Sequence, residues 1–250
     1  MQTAEKSIFF KIPAWAFLTL EMLFFAFFVI CDHVGQPPIY ATVARFCIIL
    51  FAFLYATWNL FAFGKNDPLF RRRLFLSLAM LMTFVSDIFL MIPVNITLGT
   101  CTFVVVQILH ALEIKRNRKD TILRFSLRFG FSVVAIIVMA LIGELNPLYA
   151  AVAFYAPQLV GNLLEHFVGI FQAKEREEKR RSLLLTVAFA LFFACDLCVA
   201  LSYRGVPRVG VWIWIFYAPS QMMIALSCEK LRFRKPAEQE KTEEKEPCSA

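Results

Sequence analysis

Two aspartates lie deep within long apolar stretches of the sequence. Asp87 lies in the stretch from about Leu74 to Pro93, and Asp196 lies in the stretch from about Leu183 to Tyr203. An ionisable side chain inside a membrane span is costly, so it is by default the sign of a functional site. Away from water and beside a second carboxylate, a carboxyl group can keep its proton near neutral pH, so two such groups supply a general acid and a general base. Chemistry of this kind suits a lipid whose labile bond responds to protonation.

The sequence offers little for other kinds of chemistry. It contains no His-x-x-x-His or Glu-x-x-His pattern for a metal and no Gly-x-Ser-x-Gly elbow for a nucleophilic serine. Cys195 and Cys198 form a Cys-x-x-Cys pattern, but they lie in an apolar segment without a second pair. This setting favours a packing role for the two cysteines over metal binding or redox chemistry. We therefore expect no metal and no cofactor.

The composition indicates the environment of the two aspartates. Of 250 residues, 59% are hydrophobic, 15% are aromatic and only 18% are charged. The 28 phenylalanines occur in blocks rather than in stripes, and a helix that is apolar all round is buried in a large core or in lipid. The chain lacks the polar residues that would cover a soluble core of this size. The predicted fold class is therefore all-α, a polytopic bundle of transmembrane helices in an integral, multi-pass membrane protein.

The apolar stretches are long enough to be membrane spans, each of which needs about 17 to 25 mostly apolar residues. We predict eight spans, numbered in order, at about 14–31, 41–63, 74–93, 98–114, 127–143, 147–171, 183–203 and 211–228. The first span is too aromatic to resemble a cleaved signal peptide. The expected organisation is a cytoplasmic segment at 1–12, an eight-helix transmembrane domain at 13–229 and a disordered, charged cytoplasmic tail at 230–250.

The basic residues fix the predicted orientation, because cytoplasmic loops carry an excess of Lys and Arg. They cluster before span one and after spans two, four, six and eight: Lys6 and Lys11; Lys65 and Arg71 to Arg73; Lys115, Arg116, Arg118, Lys119 and Arg124; Lys174, Arg176 and Lys179 to Arg181; Lys230, Arg232, Arg234 and Lys235. Both termini are therefore predicted to be cytoplasmic. These loops account for the net charge of +7, so we expect membrane lipids and no nucleic acid among the partners.

Further polar residues lie within the predicted spans, as the two aspartates do. Each aspartate lies 13 residues after the predicted start of its span, about 20 Å from the cytoplasmic end, so the two are able to face each other. The candidate binding residues lie in spans four, six and eight: Gln107 and His110, Tyr155 and Asn162, Tyr217 and Gln221. The sequence Phe-Tyr-Ala-Pro occurs at 154–157 and again at 216–219. A two-fold internal duplication with a polar cleft between its halves would explain this pattern.

A structural role is the alternative for each of these residues. Gln107, Gln221, Asn59 and Asn162 would then be hydrogen-bond partners between helices. His110 would reach towards the cytoplasmic headgroups, while Glu21 and Glu113 would be charges near the interface. The two aspartates would be neutral, hydrogen-bonded carboxyls.

Three short motifs resemble those of the lysoplasmalogenase (YhhN-like) family of membrane proteins, over about residues 71–227. They are Ser86-Asp87-Ile88-Phe89-Leu90-Met91 followed by Leu98-Gly99, Phe103 and His110; Phe193-Ala194-Cys195-Asp196-Leu197-Cys198-Val199-Ala200-Leu201; and Tyr217-Ala218-Pro219-Ser220-Gln221-Met222-Met223-Ile224. Their order, spacing and positions in the spans agree with the family pattern, which also has eight spans. Ser86 stands where the family usually has glycine, and Cys195 where it usually has serine or another small polar residue.

The resemblance implies an activity, the hydrolysis of the vinyl-ether bond of lysoplasmalogens to a fatty aldehyde and a glycerophospho-alcohol. It implies Asp87 and Asp196 as the catalytic carboxyls, with a lysophospholipid as the substrate. The remaining polar residues would hold the headgroup or the attacking water: Gln107, His110, Asn162, Tyr155, Tyr217 and Gln221. Two other functions fit the same sequence features, a proton-coupled transporter of a lipid or small molecule and a lipid-binding protein without catalytic activity.

Overall fold

The structure is a computed structural model that describes residues 14–34, 38–114, 117–207 and 209–227. These residues form eight helices in chain order: α1 (Ala14–Val34), α2 (Pro38–Phe63), α3 (Phe70–Met91), α4 (Ile96–Glu113), α5 (Arg118–Leu141), α6 (Pro147–Gln172), α7 (Arg176–Tyr203) and α8 (Gly210–Leu226). The predicted all-α fold class is confirmed, and the described part of the chain contains no strand. The predicted cytoplasmic segment 1–12 and tail 230–250 lie outside the described residues.

The helices coincide with the eight predicted spans, but several of them extend further. Helix α5 begins at Arg118 rather than near residue 127, and α7 begins at Arg176 rather than near residue 183. In both cases the added turns carry the basic residues that follow the preceding span. Helical hydrogen bonds continue beyond the apolar part of each segment, because charged side chains are good helix formers where they reach water. Hydropathy therefore marks the apolar part of a helix rather than the whole helix.

Six of the eight helices, α1 to α5 and α7, are long and apolar enough to cross a membrane. Helix α8 is apolar but has only 17 residues. Helix α6 has 26 residues and carries a polar face that lowers its hydropathy, formed by Gln158, Asn162, Glu165 and His166. Large apolar side chains on the outer surface of the bundle, such as Phe131 and Phe171, are exposed, as expected for contact with lipid. The chain is a multi-pass membrane protein, and the orientation of its termini stays a prediction.

The helix neighbours define a ring of six helices with two helices outside it. Around the ring, α2 packs on α3, α3 on α4, α4 on α6, α6 on α7, α7 on α8 and α8 on α2. Helix α1 packs on α2 and α8 from outside the ring. In the described part of the chain, α5 packs extensively on α6 alone. The candidate carboxyls are on α3 and α7, which lie on opposite arcs of this ring.

The order of neighbours repeats between the first four helices and the last four. The pairs α1–α2, α2–α3 and α3–α4 correspond to α5–α6, α6–α7 and α7–α8, and the contact of α4 with α6 corresponds to that of α8 with α2. This repeat supports the predicted duplication and makes α3 equivalent to α7. The two Phe-Tyr-Ala-Pro sequences do not follow it, because both lie in the second half, in α6 and α8.

The pair formed by α3 and α4 is packed closely enough to require a glycine. A Cβ atom on Gly99 would lie 2.6 Å from Leu90 Cγ. The Asn95 side chain accepts a hydrogen bond from the Leu98 amide and so caps α4. The Ser86 hydroxyl donates to Thr102 Oγ1 across the pair at 2.7 Å. This serine, at the position where the family usually has glycine, thus joins the two helices directly beside Asp87.

Candidate functional site

Asp87 lies near the end of α3, one turn before the helix ends at Met91. Its side chain is buried in the bundle. The hydroxyl of Tyr217, in α8, donates a hydrogen bond to Asp87 Oδ2 at 2.8 Å. Tyr217 is also buried, so this contact joins α3 to α8 across the interior of the ring.

Asp196 lies two turns before the end of α7, and its side chain is only partly buried. The hydroxyl of Tyr155, in α6, donates a hydrogen bond to Asp196 Oδ2 at 2.5 Å. Each carboxyl thus has a tyrosine of one Phe-Tyr-Ala-Pro sequence as its donor. The proline that follows two residues after each tyrosine, Pro157 or Pro219, lies inside the helix, where it cannot donate the usual backbone hydrogen bond.

Aromatic rings connect the two Asp–Tyr pairs. The ring of Phe103 lies 6.1 Å from that of Tyr155 and 5.7 Å from that of Phe192, and Phe192 lies 5.6 Å from Tyr217. The buried thiol of Cys195 is close enough to both Asp87 and Asp196 to interact with each of them electrostatically. Each carboxyl thus accepts from its own tyrosine, and the two Asp–Tyr pairs are connected through the rings of Phe103 and Phe192.

A polar network lies beside the Asp196 pair. Asn162 Nδ2 donates at 2.9 Å to Gln107 Oε1 and at the same distance to the Gln107 carbonyl. Arg128 Nη1 donates to Asn162 Oδ1 at 2.9 Å, and Arg128 Nη2 pairs with Glu165 Oε1 at 2.8 Å. These contacts thus join Arg128, on the outer helix α5, to Asn162 on α6 and, through Asn162, to Gln107 on α4.

The other two predicted binding residues lie apart from these contacts. Gln221 is one turn after Tyr217 in α8, buried, and neither atom of its amide has a hydrogen-bond partner among the described residues. His110 is one turn after Gln107 in α4, and its Nδ1 lies 3.5 Å from Glu113 Oε2. The structure thus places four of the six predicted binding residues on the carboxyls or in the polar network of Gln107 and Asn162, and it leaves His110 and Gln221 apart from them.

The two glutamates that would be charges near the interface in the alternative interpretation are both buried among helices. Glu21 is fully buried in α1, where it interacts with Cys47 of α2. Glu113 is buried at the end of α4, where it pairs with Arg181 of α7 and lies beside His110. A charge near a helix end reaches water only if no neighbouring helix covers it, and hydropathy alone does not reveal such a neighbour.

The predicted site residues did not include Arg128, Glu165 or Arg181. Arg128 is one residue inside the predicted fifth span, close to the basic cluster that precedes that span. A usable signal was present, because Arg124 and Arg128 are spaced i, i+4 and so share one helix face. Asn162, Glu165 and His166 form a matching polar face on α6, against which that arginine face packs.

The arrangement suits proton transfer more than metal chemistry. Two carboxyls, each with a hydroxyl donor, lie in an interior lined by aromatic rings, where a proton and a developing cation are both stabilised. No group of three or more His, Cys, Asp or Glu side chains in the described ranges is placed to hold a metal ion. Cys195 and Cys198 are free and buried in α7.

Comparison with known proteins gives one match. The YhhN family matches residues 40–228, a range that runs from the start of α2 to just beyond α8 and contains every site residue described above. A search of curated proteins and a search of solved structures each find no match.

Proposed function

The chain belongs to the YhhN family, and on that premise we propose that it is a membrane-embedded hydrolase of the lysoplasmalogenase type. The proposed reaction cleaves the vinyl-ether bond of a lysoplasmalogen to a fatty aldehyde and a glycerophospho-alcohol. The observation that carries the proposal is the pair of carboxyls inside the ring, each held by a tyrosine hydroxyl and joined through Phe103 and Phe192. The proposed catalytic residues are Asp87 and Asp196.

The proposed mechanism is general acid–base catalysis without a covalent intermediate. One aspartic acid gives its proton to the outer alkene carbon, which leaves an oxocarbenium ion at the carbon bound to oxygen. The ionised aspartate stabilises that cation and takes a proton from the water that attacks it. The hemiacetal then collapses: the aspartic acid formed from the base gives its proton to the glycerol oxygen, and the other aspartate takes the proton of the hemiacetal hydroxyl. The aldehyde and the alcohol leave, and both carboxyls return to their starting states.

The tyrosines have a defined part in this scheme. Each donates to one oxygen of its aspartate and leaves the other oxygen available for the substrate or water. A phenolic donor also holds the carboxyl in one rotamer, which reduces the reorganisation needed during proton transfer. Asp196 is the less buried of the two carboxyls.

The test compares aldehyde release from a lysoplasmalogen by the purified protein and by Asp87→Asn and Asp196→Asn. An asparagine still accepts the tyrosine hydrogen bond but cannot transfer a proton. We expect each variant to lose activity at least about 100-fold, the range that general acid–base groups supply. The control is Asp120→Asn, because Asp120 is exposed in the first turn of α5. If both Asp87→Asn and Asp196→Asn retain activity, these two carboxyls are not the catalytic groups.

A proton-coupled transporter is the second candidate, favoured by the internal prolines of α6 and α8 beside the buried carboxyls. It predicts uptake of lipid or small molecule into proteoliposomes that depends on a proton gradient and yields no aldehyde. Lipid binding without either activity, across ether and ester lysolipids, is instead the expectation for a non-catalytic member of the family.

A further inference from the structure

An arginine inside the second predicted span has no part in the proposed mechanism. Arg45 lies in α2, seven residues after the helix begins at Pro38. A charged side chain inside a span is costly, so its presence calls for a role. A long basic side chain near a helix end often extends to the lipid headgroups, yet only 22% of the Arg45 side chain is exposed. Its guanidinium lies instead against aromatic rings of α1 and α8.

The guanidinium lies over two aromatic rings at once. Arg45 Cζ is 4.5 Å from the centre of the Phe28 ring, in α1, and 5.2 Å from that of the Trp214 ring, in α8. The two rings are themselves 5.9 Å apart and inclined by 56°, so the three groups are in mutual contact. Arg45 Nη2 also pairs with Asp32 of α1 at 3.5 Å. Cations are attracted to aromatic faces at such distances, so Arg45 fixes the Trp214 ring against α1 and α2.

Trp214 in turn contacts the tyrosine that donates to Asp87. It precedes Tyr217 by three residues, so the two side chains share one face of α8. Their rings meet edge-on, with centroids 5.4 Å apart and planes inclined by 81°. Phe192 contacts the Tyr217 ring from α7 at 5.6 Å. The Tyr217 ring is therefore packed against Trp214 and Phe192 while its hydroxyl donates to Asp87 Oδ2 at 2.8 Å.

The other Asp–Tyr pair is further from this cation. Tyr155, the donor to Asp196, is in α6, which packs on α4, α5 and α7. Arg45 and its two rings belong to α2, α1 and α8. One ring, Trp214, lies between the guanidinium and Tyr217, whereas the contacts continue through Phe192 and Phe103 before they reach Tyr155. The cation thus distinguishes two pairs that have the same residue types.

We propose that Arg45 is a positioning residue for the Asp87 pair. By fixing Trp214, it holds the Tyr217 ring in the orientation in which the hydroxyl donates to Asp87. Its part in catalysis rests on the proposed function, in which Asp87 is one of the two groups that transfer protons. The inference also gives α1 a part in the site, through Phe28 and Asp32, although α1 precedes the residues that match the family, 40–228.

The kinetic test is a double-mutant cycle on aldehyde release from a lysoplasmalogen. Arg45→Gln removes the cation and keeps a polar side chain. We expect it to lower kcat about tenfold, the effect of a partly desolvated cation–π contact, and to leave KM unchanged, because it alters the orientation of a donor to a reacting group. In a Tyr217→Phe background, which lacks the hydroxyl, Arg45→Gln should have no further effect. In a Tyr155→Phe background the tenfold loss should persist.

The matched control is Arg71→Gln, which should leave kcat unchanged. Arg71 is exposed and lies over the Phe75 ring at 5.3 Å, but it is at the opposite end of α3 from Asp87. The proposal is overturned if Arg45→Gln leaves kcat unchanged, if it alters only KM, or if its effect is the same in both tyrosine backgrounds. If Arg45→Gln does not fold, Trp214→Phe replaces it in the cycle, because a phenyl ring binds a cation less strongly than indole.

A spectroscopic test separates this inference from the hydrolase proposal. The six tyrosines are replaced by 3-fluorotyrosine, and the fluorine resonances of Tyr217 and Tyr155 are assigned by their loss in the phenylalanine variants. Arg45→Gln should shift the Tyr217 resonance and leave that of Tyr155 unchanged. This result supports the positioning role even if the wild-type protein releases no aldehyde. An unchanged Tyr217 resonance, or equal shifts of both resonances, overturns it even if aldehyde is released.

Discussion

At the scale of single residues, the two aspartates and the two tyrosines were each predictable as polar residues within spans. Their pairing was not. Tyr217 and Asp87 are 130 positions apart, and only the packing of α8 into the ring brings them together. The sequence assigned both tyrosines to the substrate, whereas the structure places their hydroxyls on the carboxyls. Residue type and helical depth could be predicted from the sequence, but the partner of each side chain depends on how helices meet in three dimensions.

The tyrosine hydroxyls give a first prediction. Tyr155→Phe and Tyr217→Phe each remove one hydrogen bond to a carboxyl that we propose to be catalytic, while they keep the aromatic packing. We expect aldehyde release to fall about 10- to 100-fold in each, since a hydrogen bond to a charged group contributes about 1.5–3 kcal/mol. Tyr203→Phe, at an exposed position at the end of α7, is the control. Unchanged rates in both site variants would show that the tyrosines do not support the carboxyls.

Arg128 gives a second prediction, on stability. Arg128→Met removes the buried guanidinium that pairs with Glu165 and donates to Asn162, and breaking a buried ion pair from one side costs about 3–5 kcal/mol. We expect a clearly lower unfolding temperature in detergent for this variant. Arg124→Met is the matched control because Arg124 also pairs with Glu165, at 3.4 Å, but is 39% exposed, so its effect stays below about 1 kcal/mol. Equal effects of the two substitutions would contradict a buried role for Arg128.

At the scale of helices, the number and approximate positions of the eight helices could be predicted from the apolar stretches of the sequence. The helix ends beyond the apolar segments did not, nor did the peripheral position of α5. Apolar composition shows that a helix lies in lipid or in a core, but it does not distinguish a helix in the ring from one outside it. Small residues at the contacts between helices determine where each helix packs. An example is Gly161 on α6, over which the Arg128 side chain of α5 lies.

That glycine gives a prediction about the contact between α5 and α6. A Cβ atom at Gly161 would lie 2.6 Å from Arg128 Cζ, whereas one at Gly130, in α5, would meet nothing within 4 Å. We expect Gly161→Ala to lower the free energy of unfolding by about 1–3 kcal/mol, as overpacking does. Gly130→Ala should leave it unchanged or raise it by up to about 1 kcal/mol, because alanine favours the helix. A stabilising effect of both substitutions would show that Arg128 moves aside freely.

At the scale of the whole molecule, the repeated order of helix neighbours describes two four-helix halves of the same orientation. The aspartates occupy equivalent helices of the two halves, α3 and α7. Their tyrosine donors break the equivalence, since both come from the second half. A symmetric scaffold thus carries an asymmetric pair of Asp–Tyr contacts, as the different roles of the two aspartates in the proposed reaction require.

The orientation of this scaffold is open to direct measurement. In a cysteine-free background, Asn66→Cys lies in the connection from α2 to α3, and Glu144→Cys lies in that from α5 to α6. The distribution of basic residues predicts that a membrane-impermeant maleimide labels Glu144→Cys in intact cells and labels Asn66→Cys only after permeabilisation. The opposite pattern would invert the predicted topology.

The ion pairs that hold α5 have a consequence for biogenesis. Arg128 leaves the ribosome 37 positions before Glu165, its partner on α6. An arginine at the centre of an inserting helix opposes insertion by about 2.5–3.5 kcal/mol. Arg128, at the start of the predicted fifth span, opposes insertion by less, and its charge is neutralised only after Glu165 has been synthesised. The hairpin of α5 and α6 is consequently the smallest unit that the translocon can release into lipid with its charges neutralised.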